Sequence, residues 1–126
     1  MTVTQTEHAP RPGRDTLVLW ASLLVGPLAA LAGQWVAYAL VTTACERRSS
    51  VFVHGVHLVA LILVGAGFVA GRRAWQRLGR GEAGEQPGIA GRARFMAVSA
   101  MISNVFFALV IVCFWLADFL VGPCLP

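Results

Sequence analysis

Three stretches of almost unbroken apolar sequence, Leu17–Thr43, Val51–Gly71 and Phe95–Val121, fill most of a chain of 126 residues. A helix needs about 20 mostly apolar residues to cross bilayer hydrocarbon, and lipid offers no partner for an open backbone N–H or C=O. Each stretch meets that length, so little chain remains for a water-soluble domain. The expected fold is an all-α integral membrane protein with three transmembrane helices. Its organisation is a disordered cytoplasmic N-terminus over 1–15 and a three-helix transmembrane domain over 16–126, with spans at about 17–43, 51–71 and 95–121 and a cytoplasmic loop over 72–94.

The charged residues supply an orientation. They are 13% of the chain, about half the 25% typical of soluble domains. Every basic residue is an arginine. Arg11 and Arg14 precede the first span, and Arg72, Arg73, Arg77, Arg80, Arg92 and Arg94 lie between the second and third. The link between the first two spans holds only Arg47 and Arg48, and nothing basic follows the third. Cytoplasmic segments carry the excess of Lys and Arg, so the expected orientation is N-terminus inside and C-terminus outside. These arginines flank apolar spans without interleaved aromatic residues that could stack bases. Nucleic acid is therefore excluded as a partner, and anionic head groups of the lipid bilayer account for the charge.

Arg11 and Arg14 also suit the positive end of a signal peptide, but a signal's apolar region runs 7–15 residues and Leu17–Thr43 is far longer. Thr42-Thr43-Ala44-Cys45 approaches a lipoprotein cleavage site, yet Thr42 stands where an apolar residue belongs. The segment reads as retained. Gly26-Pro27 predicts a kink in the first helix, Ala44–Ser50 a tight helical hairpin, and Gly79–Gly91 a flexible loop. Arg72–Leu78 can continue the second helix out of the membrane, and Gly122-Pro123 ends the third.

Small residues recur every four positions: Ala29, Gly33 and Ala37 on the first helix, Gly67 and Gly71 on the second, and Ala100 and Ala108 about Asn104 on the third. Such stripes let helix backbones approach closely in lipid. They serve either packing within the chain or a homo-oligomer face. Ser99, Ser103 and Asn104 read as interhelical hydrogen-bonding groups.

In the expected topology Cys45 and Cys124 both lie just outside the membrane, and Cys113 lies within the third helix. Thiols in an oxidising compartment tend to pair. A Cys45–Cys124 disulfide would contribute about 4 kcal/mol in the chain-entropy model. Free thiols, or thiolate ligands for a soft metal such as Cu(I), are the alternatives.

Polar side chains inside spans are costly and mark sites by default. Gln34 and Tyr38 sit one turn apart on the first helix, His54 and His57 open the second, and Asp118 lies in the last turns of the third. All five fall in one outer-leaflet layer and form the candidate cofactor-binding set. The i,i+3 spacing puts both histidines on one helix face, with His57 the deeper. A structural polar cluster, a metal or haem site, and a quinone or proton-handling site are all compatible with this layer. Two histidines at i,i+3 cannot be the two axial ligands of one haem, and no metal-binding signature, phosphate loop, catalytic triad or carboxylate pair is present.

Gly26-Pro27, Gln34, Tyr38, Cys45, His57, Arg94-Phe95, Ser103, Phe107 and Pro123-Cys124 together resemble a pattern in small three-helix bacterial membrane proteins found near respiratory oxidase and cytochrome c genes. The resemblance implies a multi-pass protein of the bacterial inner membrane in a respiratory setting, and it carries no catalytic residues. The expected function is a non-enzymatic accessory subunit or assembly factor, its partners the subunits of a larger membrane complex or further copies of itself. The alternative is a haem- or copper-binding membrane protein that uses the outer His cluster.

Overall fold

The computed structural model describes residues 12–79, 88–122 and 124. The described residues form three helices: α1 over Pro12–Glu46, α2 over Val51–Gly79 and α3 over Ile89–Val121. Each is long and apolar enough to cross a membrane. At 1.5 Å per residue they measure about 52, 44 and 50 Å, more than the roughly 30 Å of hydrocarbon in a bilayer. In a bilayer their ends would therefore reach head-group depth. All three pairs of helices pack against each other.

The helix boundaries differ from the spans because a helix does not stop where its apolar run stops. α1 begins at Pro12, a residue whose missing N–H costs nothing in a first turn. Residues 12–15 are thus helical, and the rest of the N-terminus expected to be disordered lies outside the described residues. The linker expected over 72–94 is helical at both ends, through Gly79 and from Ile89; residues 80–87 of the flexible loop lie outside the described residues. α1 runs unbroken through Pro27.

The α1–α2 hairpin closes in four residues. Ser49 N–H donates to Ala44 O at 3.0 Å and Arg48 N–H to Cys45 O at 3.3 Å. Arg48 takes a φ of 50°. This is a Schellman cap with arginine at the left-handed position, where a side chain costs about 1 kcal/mol relative to glycine. α3 ends at Gly122, whose φ of 67° suits a residue without a side chain. Its N–H donates to Asp118 O at 3.1 Å. The turn beyond it brings Cys124 to disulfide-bonding distance of Cys45, with 5.4 Å between their Cα atoms. Cys113, on the outer surface of α3, is free.

Inside the bundle the small residues do the packing. A Cβ on Gly33 would lie 3.3 Å from the Ala60 Cβ, and one on Gly71 would lie 3.5 Å from Ala100 and Met101. Ala29 packs with Ala60, Val64 and Ile111, and Ala37 with Ala44 and Val53. Of the two uses open to the stripes, packing within the chain is the one observed.

Asn104 ties the three helices together at mid-length. It is fully buried, and its Nδ2 donates at 2.7 Å both to Ser22 O on α1 and to Ala100 O on its own helix. Both partners are carbonyls, so the amide orientation follows from the bonds. Its Oδ1 has no hydrogen-bond partner among the described residues and faces the glycines of the other two helices: a Cβ would lie 3.0 Å from it on Gly26 and 2.8 Å on Gly67. The Cα–H edges of these glycines are its nearest weak donors. Ser99 and Ser103, grouped with Asn104 in the sequence, make no bond to another helix among the described residues.

Gly67 leaves no room for a side chain, since a Cβ there would also overlap Val25. Gly67→Ala should lower bundle stability by about 1–3 kcal/mol through overpacking. Gly65, with nothing within 4 Å, should accept alanine with no loss and a gain of up to about 1 kcal/mol in helix propensity. Thermal unfolding of both variants in detergent, followed by circular dichroism, checks the contrast.

Candidate polar site at the disulfide end

The first turns of α2 and the last turns of α3 meet beside the Cys45–Cys124 pair, and there the expected histidines converge on α3. His57 is buried and His54 half-buried. The Nδ1 of His57 lies 2.9 Å from Val53 O one turn back. A carbonyl only accepts, so Nδ1 carries a proton and Nε2 is the nitrogen left to face α3. It faces Asp118, with Nε2 and Oδ2 3.6 Å apart, longer than a hydrogen bond but within ion-pair range.

His54 is held differently. Trp115 Nε1 donates to its Nδ1 at 2.8 Å. An indole N–H cannot accept, so the His54 proton sits on Nε2. The His54 ring stacks on Phe119 at 4.4 Å between centroids, and Trp115 lies parallel to the His57 ring at 6.3 Å. The two neighbouring histidines thus use Nδ1 in opposite senses, His57 donating to a backbone carbonyl and His54 accepting from an indole N–H.

His54, His57 and Asp118 come together here. Gln34 is exposed but rims a recess of about 10 Å³ between the helices, lined also by His57, Ala60 and Ile111, room for about one water. Tyr38 is 77% exposed and points away from the bundle. Trp115 and Phe119 complete the site and had no place in the sequence-derived layer. Their signal was the i−3 and i+1 spacing from Asp118, at the depth of the histidines.

Chemically the site fastens α2 to α3, through the Trp115–His54 hydrogen bond and the His57–Asp118 contact. Among the described residues no group of three or more His, Cys, Asp or Glu side chains is placed to hold a metal ion. No family model, no curated protein and no solved structure matches the chain.

His57→Ala removes the ring that faces Asp118 and enlarges the recess it lines with Ala60, and should cost about 1–3 kcal/mol. His54→Gln keeps an acceptor for the Trp115 N–H and should cost less than about 1 kcal/mol. Thermal unfolding of the two variants in one detergent gives the comparison, and equal losses would contradict the assignment of His57 as the buried partner.

Proposed function

We propose that this protein is a non-enzymatic accessory subunit or assembly factor of a larger membrane complex, of respiratory type, in the bacterial inner membrane. One observation carries the reading. The polar and small side chains at mid-membrane (Asn104, Gly26, Gly67, Gly33) are consumed in fixing the chain's own helices, while bulky residues such as Trp35, Phe106 and Leu120 face outward. A bundle that spends its interior on rigidity and presents an apolar exterior suits a part that supports neighbours. The respiratory assignment comes from the resemblance, and several residues that carry it are bundle-building: Gly26 lies against Asn104 and Phe107, Cys45 beside Cys124, and His57 beside Asp118.

Orientation belongs to the same proposal. The exposed Arg14, Arg72, Arg73, Arg77, Arg92 and Arg94 lie at the end opposite the cysteine pair. Placing the arginines in the cytoplasm puts the cysteines outside, where thiols oxidise. Two independent signs thus favour N-terminus inside and C-terminus outside.

Extraction from native membranes in a mild detergent, followed by native electrophoresis and mass spectrometry of the band, tests the function. The protein should migrate with a complex many times its own 13.5 kDa, together with oxidase or cytochrome subunits. Migration as a lone chain or a self-oligomer would contradict the proposal. A reporter active only outside the cytoplasm should work when fused after Pro126 and be silent within Gly79–Gly91; the reverse would overturn the orientation.

A further inference from the structure

Between α2 and α3, on the side away from α1, runs an open apolar groove of about 400 Å³ lined by Phe68, Met101, Ile102, Val105, Phe106 and Leu109. It lies within the hydrocarbon-spanning part of both helices, toward the arginine end. Helical register decides what stands above it. Arg72 and Trp75 follow Phe68 at i+4 and i+7, and Arg94 and Val98 precede Met101 and Ile102 at i−7 and i−4, all on the groove side of their helices. Arg73 and Arg77, at i+5 and i+9 from Phe68, and Arg92, at i−9 from Met101, fall on other faces. Gly71 packs against Ala100 and Met101, which aligns the two helices in height. Arg72 then stands about 6 Å above Phe68 and Arg94 about 10 Å above Met101.

Among the described residues of α2 and α3, no carboxylate stands beside the arginines over the groove. Described α2 contains no Asp or Glu, and the acid of α3 is Asp118 at the far end. No ion pair engages Arg72 or Arg94 among the described residues. Two guanidinium groups at head-group depth above an apolar slot call for an occupant with an anionic head and an apolar tail, and guanidinium is matched to phosphate oxygens. Trp75, partly exposed at the same end, suits the interfacial layer.

We propose that the α2–α3 groove is a binding site for one anionic phospholipid, with an acyl chain along Phe68, Ile102 and Val105 and the head-group phosphate between Arg72 and Arg94. Basic pockets between transmembrane helices bind anionic head groups in this way. A zwitterionic lipid brings its own cation to the two arginines and is selected against. The site rests on neither the orientation nor the accessory role.

The test uses the full chain, delipidated in a neutral detergent, with phosphatidylglycerol and phosphatidylcholine of equal chain length as competing probes and native mass spectrometry as readout. The wild type should retain one phosphatidylglycerol per chain in preference to phosphatidylcholine. Arg72→Gln with Arg94→Gln should lower that retention about thirty-fold, the product of two interfacial charges. Arg73→Gln with Arg92→Gln, an equal loss of net charge, should change it by less than about three-fold, because neither guanidinium is on the groove face. Ile102→Trp fills the groove without touching a charge and should weaken retention as well. All five positions are exposed, and an intact Cys45–Cys124 bridge in each variant's mass reports that the bundle still forms. Equal losses from both arginine pairs, full retention in Ile102→Trp, or no preference between the two lipids would overturn the site.

Discussion

Lipid tails are as apolar as leucine, so burying apolar surface between helices gives this bundle no drive to assemble. Association must come from close backbone approach and from a few directional contacts. The chain meets that constraint at three heights. At the arginine end Gly71 lets α2 settle on Ala97 and Ala100. At mid-length Asn104 reaches Ser22 O across the bundle, and Gly26 and Gly67 make the space it occupies. At the other end the His54–Trp115 bond and the His57–Asp118 contact join α2 to α3, and the Cys45–Cys124 pair joins the last turn of α1 to the turn beyond α3. Each contact holds helices that the next one also holds, so register fixed at one height is reinforced at another.

Features governed by a single strong rule were legible in the sequence. Span count follows from apolar length, and the end of α3 from Gly122-Pro123. The proximity of Cys45 and Cys124 follows from placing both just beyond the same ends of their spans. The stripes at Ala29, Gly33 and Ala37 and at Gly67 and Gly71 were visible as spacing, but spacing alone does not say what fills the gap; the Gly67–Asn104 match appears only when the helices are in register. The helix ends were legible in part. The continuation of α2 over Arg72–Leu78 was read from the sequence and is observed, but the start of α3 at Ile89 fell inside the stretch read as a flexible loop, because a helix propagates through polar residues until something breaks it.

The candidate site divides along the same line. Depth alone brings His54, His57 and Asp118 to one level, because each lies a countable number of residues from the end of its span. Azimuth decides the rest, and it is set by packing. Gln34 reaches only the rim of the recess that His57 lines, and Tyr38 shares the level but sits on the outward side of α1, 77% exposed. Trp115 read as an ordinary apolar residue of a span, although its indole N–H needs an acceptor when it leaves water. The acceptor proved to be His54. The cluster therefore belongs to the architecture of the bundle as much as to any chemistry it performs, in keeping with the supporting role proposed for the protein.

The central claim is that contacts at discrete points fasten these helices, with the Cys45–Cys124 bridge the covalent one among them. Counting thiols on protein taken from native membranes tests it most directly. After denaturation without reductant, an alkylating label followed by mass spectrometry should modify one cysteine per chain, Cys113, and reduction should then expose two more. Three labelled cysteines before reduction would contradict the account.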